Sequence, residues 1–195
     1  MQEYQGKKRD PAYRPLTKDE IAVLSVNNTA EQWSSVFVRE PFLPASITGC
    51  RFLGTVYLGP FTVQHIEPEG IRLPVGVYNS TLHDCTVGQD AAVDTVGYLY
   101  GYSVGRDVVL RHIGEMVAHQ PPQEMWVEVC NENGARCIDI SPGMDISDCY
   151  LWAKNRGEDS FLAGCTRISA ENWKKNRHLF GIVEAGAVVK HVPLI

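Results

Sequence analysis

Val87-Gly88-Gln89-Asp90-Ala91-Ala92-Val93-Asp94-Thr95-Val96-Gly97-Tyr98-Leu99 lines up without gaps on Val104-Gly105-Arg106-Asp107-Val108-Val109-Leu110-Arg111-His112-Ile113-Gly114-Glu115-Met116, seventeen residues further on. In each copy the apolar residues fall six apart: Val87, Val93 and Leu99, then Val104, Leu110 and Met116, with Gly directly after the first. A period of six matches neither the 3.6 of a helix nor the two of a simple hairpin. It fits a coil of three short strands, each turning a corner and pointing one aliphatic residue inward. Val183, Val189 and Ile195 repeat the spacing in a degraded third copy, so the sequence predicts a mainly β, parallel β-helix.

Working outward, Ile47, Phe52 and Leu58 open the first coil, and Val75-Gly-Val-Tyr-Asn-Ser80 resumes the rhythm after an excursion over 60–74 that holds three prolines. A loop thrown out at a corner builds a site wall without disturbing the stack. Residues 1–45 read as a loose arm, to about Pro15, followed by two capping helices. Thr17-Lys-Asp-Glu20 and Thr29-Ala-Glu-Gln32 both fit the capping-box pattern, the second ahead of Trp33. Their expected task is to cover the exposed end of the first coil. The coils occupy 46–116, and Pro121-Pro122 ends the run.

Residues 117–182 form an insertion. Trp126–Cys130 and Ala135–Ile140, joined through Asn133-Gly134, predict a β-hairpin. Asp148–Lys154 and Ser169–Phe180 predict helices, the latter with Ser169 as N-cap. Residues 183–195 return to the coil and leave it unfinished, so either a partner subunit or the remainder of a longer chain is expected over it. Val183–Ile195 should stack on Val104–Met116. That places Asp94, Arg111 and Lys190 on one outward ladder at the spacing of about 4.8 Å between paired strands.

The 195 residues, 44% of them hydrophobic, suffice for one good core plus a small insertion. A net charge of −5 and a pI near 5.7 give no general attraction to nucleic acid or to an anionic membrane. Neither a bilayer-length apolar run nor a signal-peptide core is present, which makes a cytoplasmic location the default. In that setting the sequons at Asn27 and Asn79 carry no meaning. The six cysteines (Cys50, Cys85, Cys130, Cys137, Cys149, Cys165) show no zinc-knuckle spacing, and with His119 and His178 they form no metal-ligand pattern. Cys50 and Cys85 sit at matching places and read as small buried thiols. Asp90 and Asp107 repeat at the same place, as turn devices do. No GxGxxG or Walker loop is present.

The hexads resemble those of the hexapeptide-repeat superfamily, which implies a left-handed coil. The wider layout, with Leu16-Thr-Lys-Asp-Glu-Ile21, Trp33-Ser34 and Pro74–Ser80, looks like an uncharacterised bacterial family of longer chains labelled as a domain of unknown function. The superfamily implies a transferase-like protein, often trimeric, passing an acyl group from a coenzyme A-type donor to a sugar or nucleotide-sugar acceptor with a histidine as general base. No cofactor is otherwise evident. The alternative it implies is a non-catalytic scaffold or oligomerisation domain.

A neutral imidazole suits removal of a hydroxyl proton near pH 7. His112, bordering the insertion, is the first candidate base, and His83 with neighbouring Asp84 the second. His191 stands at the place equivalent to His112, and His65 lies in the excursion with Glu67 and Glu69 nearby. Lys174, Lys175 and Arg177 beside Trp173 form a candidate phosphate or nucleotide grip. The competing reading is a solvated outer face for the histidines and a solvated helix face for the three cations.

Overall fold

The computed structural model describes residues 11–118, 126–128, 137–176 and 181–195. Pro121-Pro122, the Asn133-Gly134 turn, Cys130, Arg177, His119, His178 and the last residues of the 169–180 segment lie outside the described residues. The chain divides into two compact units, one of residues 1–119 with 181–195 and one of residues 120–180.

The first unit is built on two sheets. The six-stranded one runs in the order Arg14–Pro15, Val36–Val38, Val56–Leu58, Thr86–Val87, Ser103–Val104 and Ile182–Val183. All its neighbours are parallel except Arg14–Pro15, which pairs antiparallel with Val36–Val38. The eight-stranded one runs Val188–Leu194, Val109–Val117, Ala92–Tyr100, Thr81–His83, Arg51–Leu53 and Thr29–Ala30, with Gly76–Tyr78 and Ile47–Thr48 branching from Ala92–Tyr100.

Register follows the apolar spacing. Leu58, Val87, Val104 and Val183 form one column, Ile47, Val77, Val93, Leu110 and Val189 a second, and Phe52, Leu82, Leu99 and Met116 a third. Most of these side chains are fully buried and belong to one core. The segment 183–195 does stack on 104–116, and Asp94, Arg111 and Lys190 are level with one another.

The glycine after each first apolar residue has a packing reason. A Cβ on Gly59 would lie 2.6 Å from the carbonyl carbon of Gly88, and one on Gly88 would lie 2.5 Å from the Gly105 oxygen. Any side chain there would push adjacent strands apart.

The fold class itself is corrected. The chain is mixed α/β, with parallel and antiparallel sheets and three α-helices among the described residues, not a mainly β, left-handed β-helix. Where the hexads predict short strands separated by corners, Ala92–Tyr100 and Val109–Val117 are each nine residues long and run through left-handed residues at Thr95 and His112. The six-residue spacing states which side chains face in and which strands stack. It says nothing about how the strands are grouped into sheets or how much helix is attached.

Of the two expected capping helices, one forms. Helix α1 (Lys18–Leu24) starts on Thr17, with the reciprocal Thr17–Glu20 capping box in place, and buries Leu24. Thr29–Ala30 is instead a strand whose flanking amides bond to Cys50 and Phe52 carbonyls at 2.9 Å, and Trp33–Ser35 is a single 3₁₀ turn with no side-chain cap. Ladder bonds outcompeted a local cap worth about 1 kcal/mol. The arm is also held earlier than expected: Arg14 pairs with Glu20 and Glu40, and Tyr13 packs edge-on against Tyr57 at 5.1 Å.

The excursion over 60–74 carries a short antiparallel ribbon, His65–Ile66 with Leu73–Pro74. It is tied down at both ends of its reach. Asp90 accepts from the Thr62 and Val63 amides and the Thr62 hydroxyl, and Glu69 pairs with Lys190.

In the second unit Trp126–Glu128 and Cys137–Asp139 pair antiparallel. Helix α2 (Ile146–Lys154) is capped by Asp145 in a reciprocal arrangement with Asp148. Helix α3 (Asp159–Asn176) begins ten residues before Ser169, which sits mid-helix and donates to the Asp139 carbonyl at 3.1 Å. Ser169 therefore anchors the helix to the strand and does not cap it.

Candidate functional site

The stacking register that buries Leu82 on Leu99 also sets His83 level with Tyr100. Tyr98 lies two residues earlier on the same face of its strand, level with Glu115 of the next one. The tyrosine rings are nearly parallel, 9° apart in plane with centroids 6.2 Å apart. The His83 ring lies against them, 4.7 Å from Tyr100 and 5.9 Å from Tyr98.

Both imidazole nitrogens are engaged. Nδ1 is 2.6 Å from the Tyr98 hydroxyl, and Nε2 is 3.4 Å from an Asp84 carboxylate oxygen. Burial, then the charges of Tyr100, Asp84 and Glu115, push the Tyr98 phenol up from its ordinary value. It therefore stays protonated, and its hydroxyl can donate to Nδ1 in the tautomer whose ring proton sits on Nε2, facing Asp84. This is the tautomer a general base needs, with its acceptor nitrogen turned to a hydroxyl.

Asp84 is fixed from its other side. Its backbone is left-handed (φ 46°), which Asp tolerates better than most residues. Its second oxygen accepts the Thr55 amide at 2.8 Å. Only glycine fits at position 54 opposite, since a Cβ there would come within 2.2 Å of the Asp84 carboxylate. His83 and Asp84 keep 30% and 22% of their side-chain surface, so the pair is reachable yet largely shielded.

His112 occupies a different corner. With Asn79, Thr95 and His191 it forms a column of left-handed residues, φ 49–57°, directly after the level row Tyr78, Asp94, Arg111 and Lys190. It is exposed, its ring 5.1 Å from that of His191, and no described contact joins it to His83. His65 is exposed and meets Arg72 at 3.2 Å. Lys174 and Lys175 are exposed in the last turn of α3, where cations suit the helix dipole. The neighbouring Trp173 indole donates to the Ile140 carbonyl at 2.7 Å, so it serves packing inside its own unit.

Asp90 and Asp107 share the left-handed turn conformation, φ 53° and 55°. They differ in what they hold. Although burial works the other way, bonds from Thr62, Gln89 and Val63 keep the Asp90 carboxyl below its ordinary value, whereas the Asp107 side chain is half-exposed and meets Arg106 at 3.1 Å. Cys50 and Cys85 are buried free thiols, and burial pushes Cys50 up to about 11 and Cys85 further. Neither is a thiolate nucleophile near neutral pH. Among the described residues no group of three or more His, Cys, Asp or Glu is arranged to hold a metal ion, and no helix is long and apolar enough to cross a membrane.

Tyr98 and Tyr100 were not singled out from the sequence, although the signal was there. Adding the period of seventeen to His83 gives Tyr100, and adding it to Tyr98 gives Glu115.

No solved structure matches the chain. An uncharacterized protein from Treponema pallidum (strain Nichols) is 26% identical over 199 aligned residues, which cover 94% of this chain and 28% of that protein. The chain thus corresponds to little more than a quarter of that relative's length. A family model matches residues 13–195, which take in every strand of both sheets, and the chain belongs to that family, described as a domain of unknown function, DUF4954.

Proposed function

We propose that the chain is transferase-like and that the His83 corner activates a hydroxyl of a sugar or nucleotide-sugar type acceptor for acyl transfer. The observation that carries this reading is the 2.6 Å contact of His83 Nδ1 with the Tyr98 hydroxyl while Nε2 faces Asp84. The acceptor hydroxyl gives its proton to the Tyr98 oxygen as Tyr98 gives its own to His83, and Asp84 stabilises the imidazolium. The acceptor oxygen bonds to the acyl carbon, the acyl–sulfur bond of a coenzyme A-type thioester breaks, and the departing thiolate takes the proton back along the same route. The stacked faces of Tyr98 and Tyr100 offer a flat apolar shelf beside the reacting hydroxyl. Kinship with hexapeptide-repeat proteins, which would favour acyl chemistry, rests on the buried hexads Val87, Val93, Leu99 and Val104, Leu110, Met116.

The test is acceptor-dependent thiol release from an acyl-coenzyme A, preceded by thermal-shift screening against coenzyme A, acyl donors and nucleotide sugars. A ligand at 100 times its Kd adds about 2.7 kcal/mol to stability. Tyr98→Phe and His83→Gln should each lower turnover by about 10²–10⁴-fold with the circular dichroism unchanged. Absence of both thermal shift and turnover in the wild type overturns the reading, as does undiminished turnover in the variants.

A second reading, a non-catalytic assembly domain, draws on the outermost strands of both sheets, where Ile182, Leu194 and Ile195 are 38%, 66% and 45% exposed. Strand edges bordered by apolar side chains recruit further strands, here those of a second copy. Light scattering of the wild type against Leu194→Lys decides it: a multimer that the substitution dissociates supports assembly, and a monomer in both rejects it.

A further inference from the structure

The second unit holds a cavity of about 320 Å³ between α2, α3 and the segment that follows the Cys137–Asp139 strand. This is within the range of small-molecule sites, roughly 300–1,000 Å³. Trp152, 7% exposed, is its most buried apolar wall, and Met144, Phe161, Leu151 and Ile168 complete the apolar lining. Leu151 and Ile168 stand at 47% and 55% exposure, as expected of side chains at an open mouth.

The polar lining is one-sided in charge. Among the described residues it includes two carboxylates, Asp139 and Asp148, and neither lysine nor arginine. Both are fixed by bonds to the scaffold: Asp139 accepts the Thr166 hydroxyl at 2.6 Å, and Asp148 accepts the Asp145 amide at 3.0 Å. Each uses one oxygen in that role, leaving the other for a ligand. The Cys165 thiol, also in the lining, is pushed up from its ordinary value by burial and then by the negative charge of Asp148, so that charge is felt inside the cavity. Asp139 is half-buried and Asp148 exposed, so their charge acts beside the apolar walls through water as well, attracting a cation and repelling an anion.

We propose that this cavity binds a small organic cation with an aromatic or branched apolar body, of the arylalkylamine class, its ring against Trp152 and Phe161 and its ammonium drawn to Asp139 and Asp148. Shape selects the apolar body and charge selects the amine. The site is built wholly from residues 139–172 and owes nothing to the His83 corner.

Titration calorimetry on the intact chain, with tryptamine and its anionic counterpart indole-3-propionate as probes, tests it. Tryptamine should bind about tenfold or more tightly than the propionate, a gap of at least about 1.4 kcal/mol. Asp148→Asn, which keeps an oxygen for the Asp145 amide, should narrow that gap. Ile168→Trp, placed at an exposed position, should abolish tryptamine binding with the thermal midpoint unchanged, and Tyr98→Phe should leave it intact. Equal or tighter binding of the propionate, no heat with either probe, or unaltered binding in Ile168→Trp overturns the proposal.

Discussion

Two copies of one pattern, Val87–Leu99 and Val104–Met116, lie side by side in parallel register, alike in their inner face and their left-handed turns. Val87, Val93 and Leu99 are buried, as are Val104, Leu110 and Met116, none more than 3% exposed. On the outside almost every equivalent pair differs. Asp90 is buried and clamps Thr62, while Asp107 is half-exposed. The Tyr98 hydroxyl meets His83 at 2.6 Å, while the residue level with Tyr98 on the next strand is Glu115. Packing constrains an inner residue through every neighbour at once, whereas an outer one answers only to what lies over it. The outer differences are therefore where specific chemistry and specific tethers are found.

The strongest way to break this comparison is on the inside. Leu99→Ala and Met116→Ala should each destabilise the chain by about 2–5 kcal/mol, the range for emptying a buried aliphatic site. Since the two side chains stack in one column, their costs should agree within about 1 kcal/mol by urea unfolding. A nearly silent Met116→Ala would show that the second copy is not held in the core as the first is.

On the outside the expected effects separate. Asp90→Ala strands the Thr62 and Val63 amides, removes a partner from the Thr62 hydroxyl, and puts alanine at φ 53°. A cost of about 2–4 kcal/mol is expected from unpaired donors and backbone strain together. Asp107→Ala shares the backbone strain but strands no buried donor, so its cost should be smaller by about 1–3 kcal/mol. Limited proteolysis should also cut the excursion over 60–74 faster in Asp90→Ala alone. Equal costs and equal cleavage would make both aspartates plain turn residues.

That contrast also marks how far the sequence was legible. The three buried columns and the return of residues 183–195 followed from spacing, because inward side chains must be apolar and strand register is fixed by what is buried. The left-handed turns at Asn79, Asp84, Asp90, Asp107, His112 and His191 are consistent with residue type, whereas nothing in the type of Thr95 announces its own. Helix α1 was visible in Thr17–Glu20 because a capping box is local. Thr29–Gln32 fits the same pattern, yet the Thr29 and Glu31 amides bond to the Cys50 and Phe52 carbonyls more than twenty residues away. Ser169 misled for the same reason, its hydroxyl serving a carbonyl thirty residues back. The mixed α/β class was missed since six-residue spacing describes stacking within the first unit and is silent on sheet grouping and helix content. His83 with Asp84 was found from chain neighbours; Tyr98 entered only through register.

The smallest expected effect tests the one charged contact that joins the copies directly. Asp94 of the first and Arg111 of the second are level on the sheet, 3.5 Å apart and about one-third exposed. The Arg111 Nε is buried, and at that distance its contact with Asp94 is a charge attraction without a hydrogen bond. Lys190, the next residue on the ladder, would oppose Arg111, but it turns to Glu69 instead. A double-mutant cycle of Asp94→Asn and Arg111→Met should therefore give a coupling of about 0.2–1 kcal/mol in low salt, shrinking at 1 M salt as screening removes the attraction. In a Glu69→Gln background Lys190 loses its charged partner, its repulsion of Arg111 is less offset, and Arg111→Met should cost less. A coupling above about 2 kcal/mol, or one indifferent to salt, would mean that the pair is shielded from water and that the outer face is organised more like the inner one than the comparison of the two copies indicates.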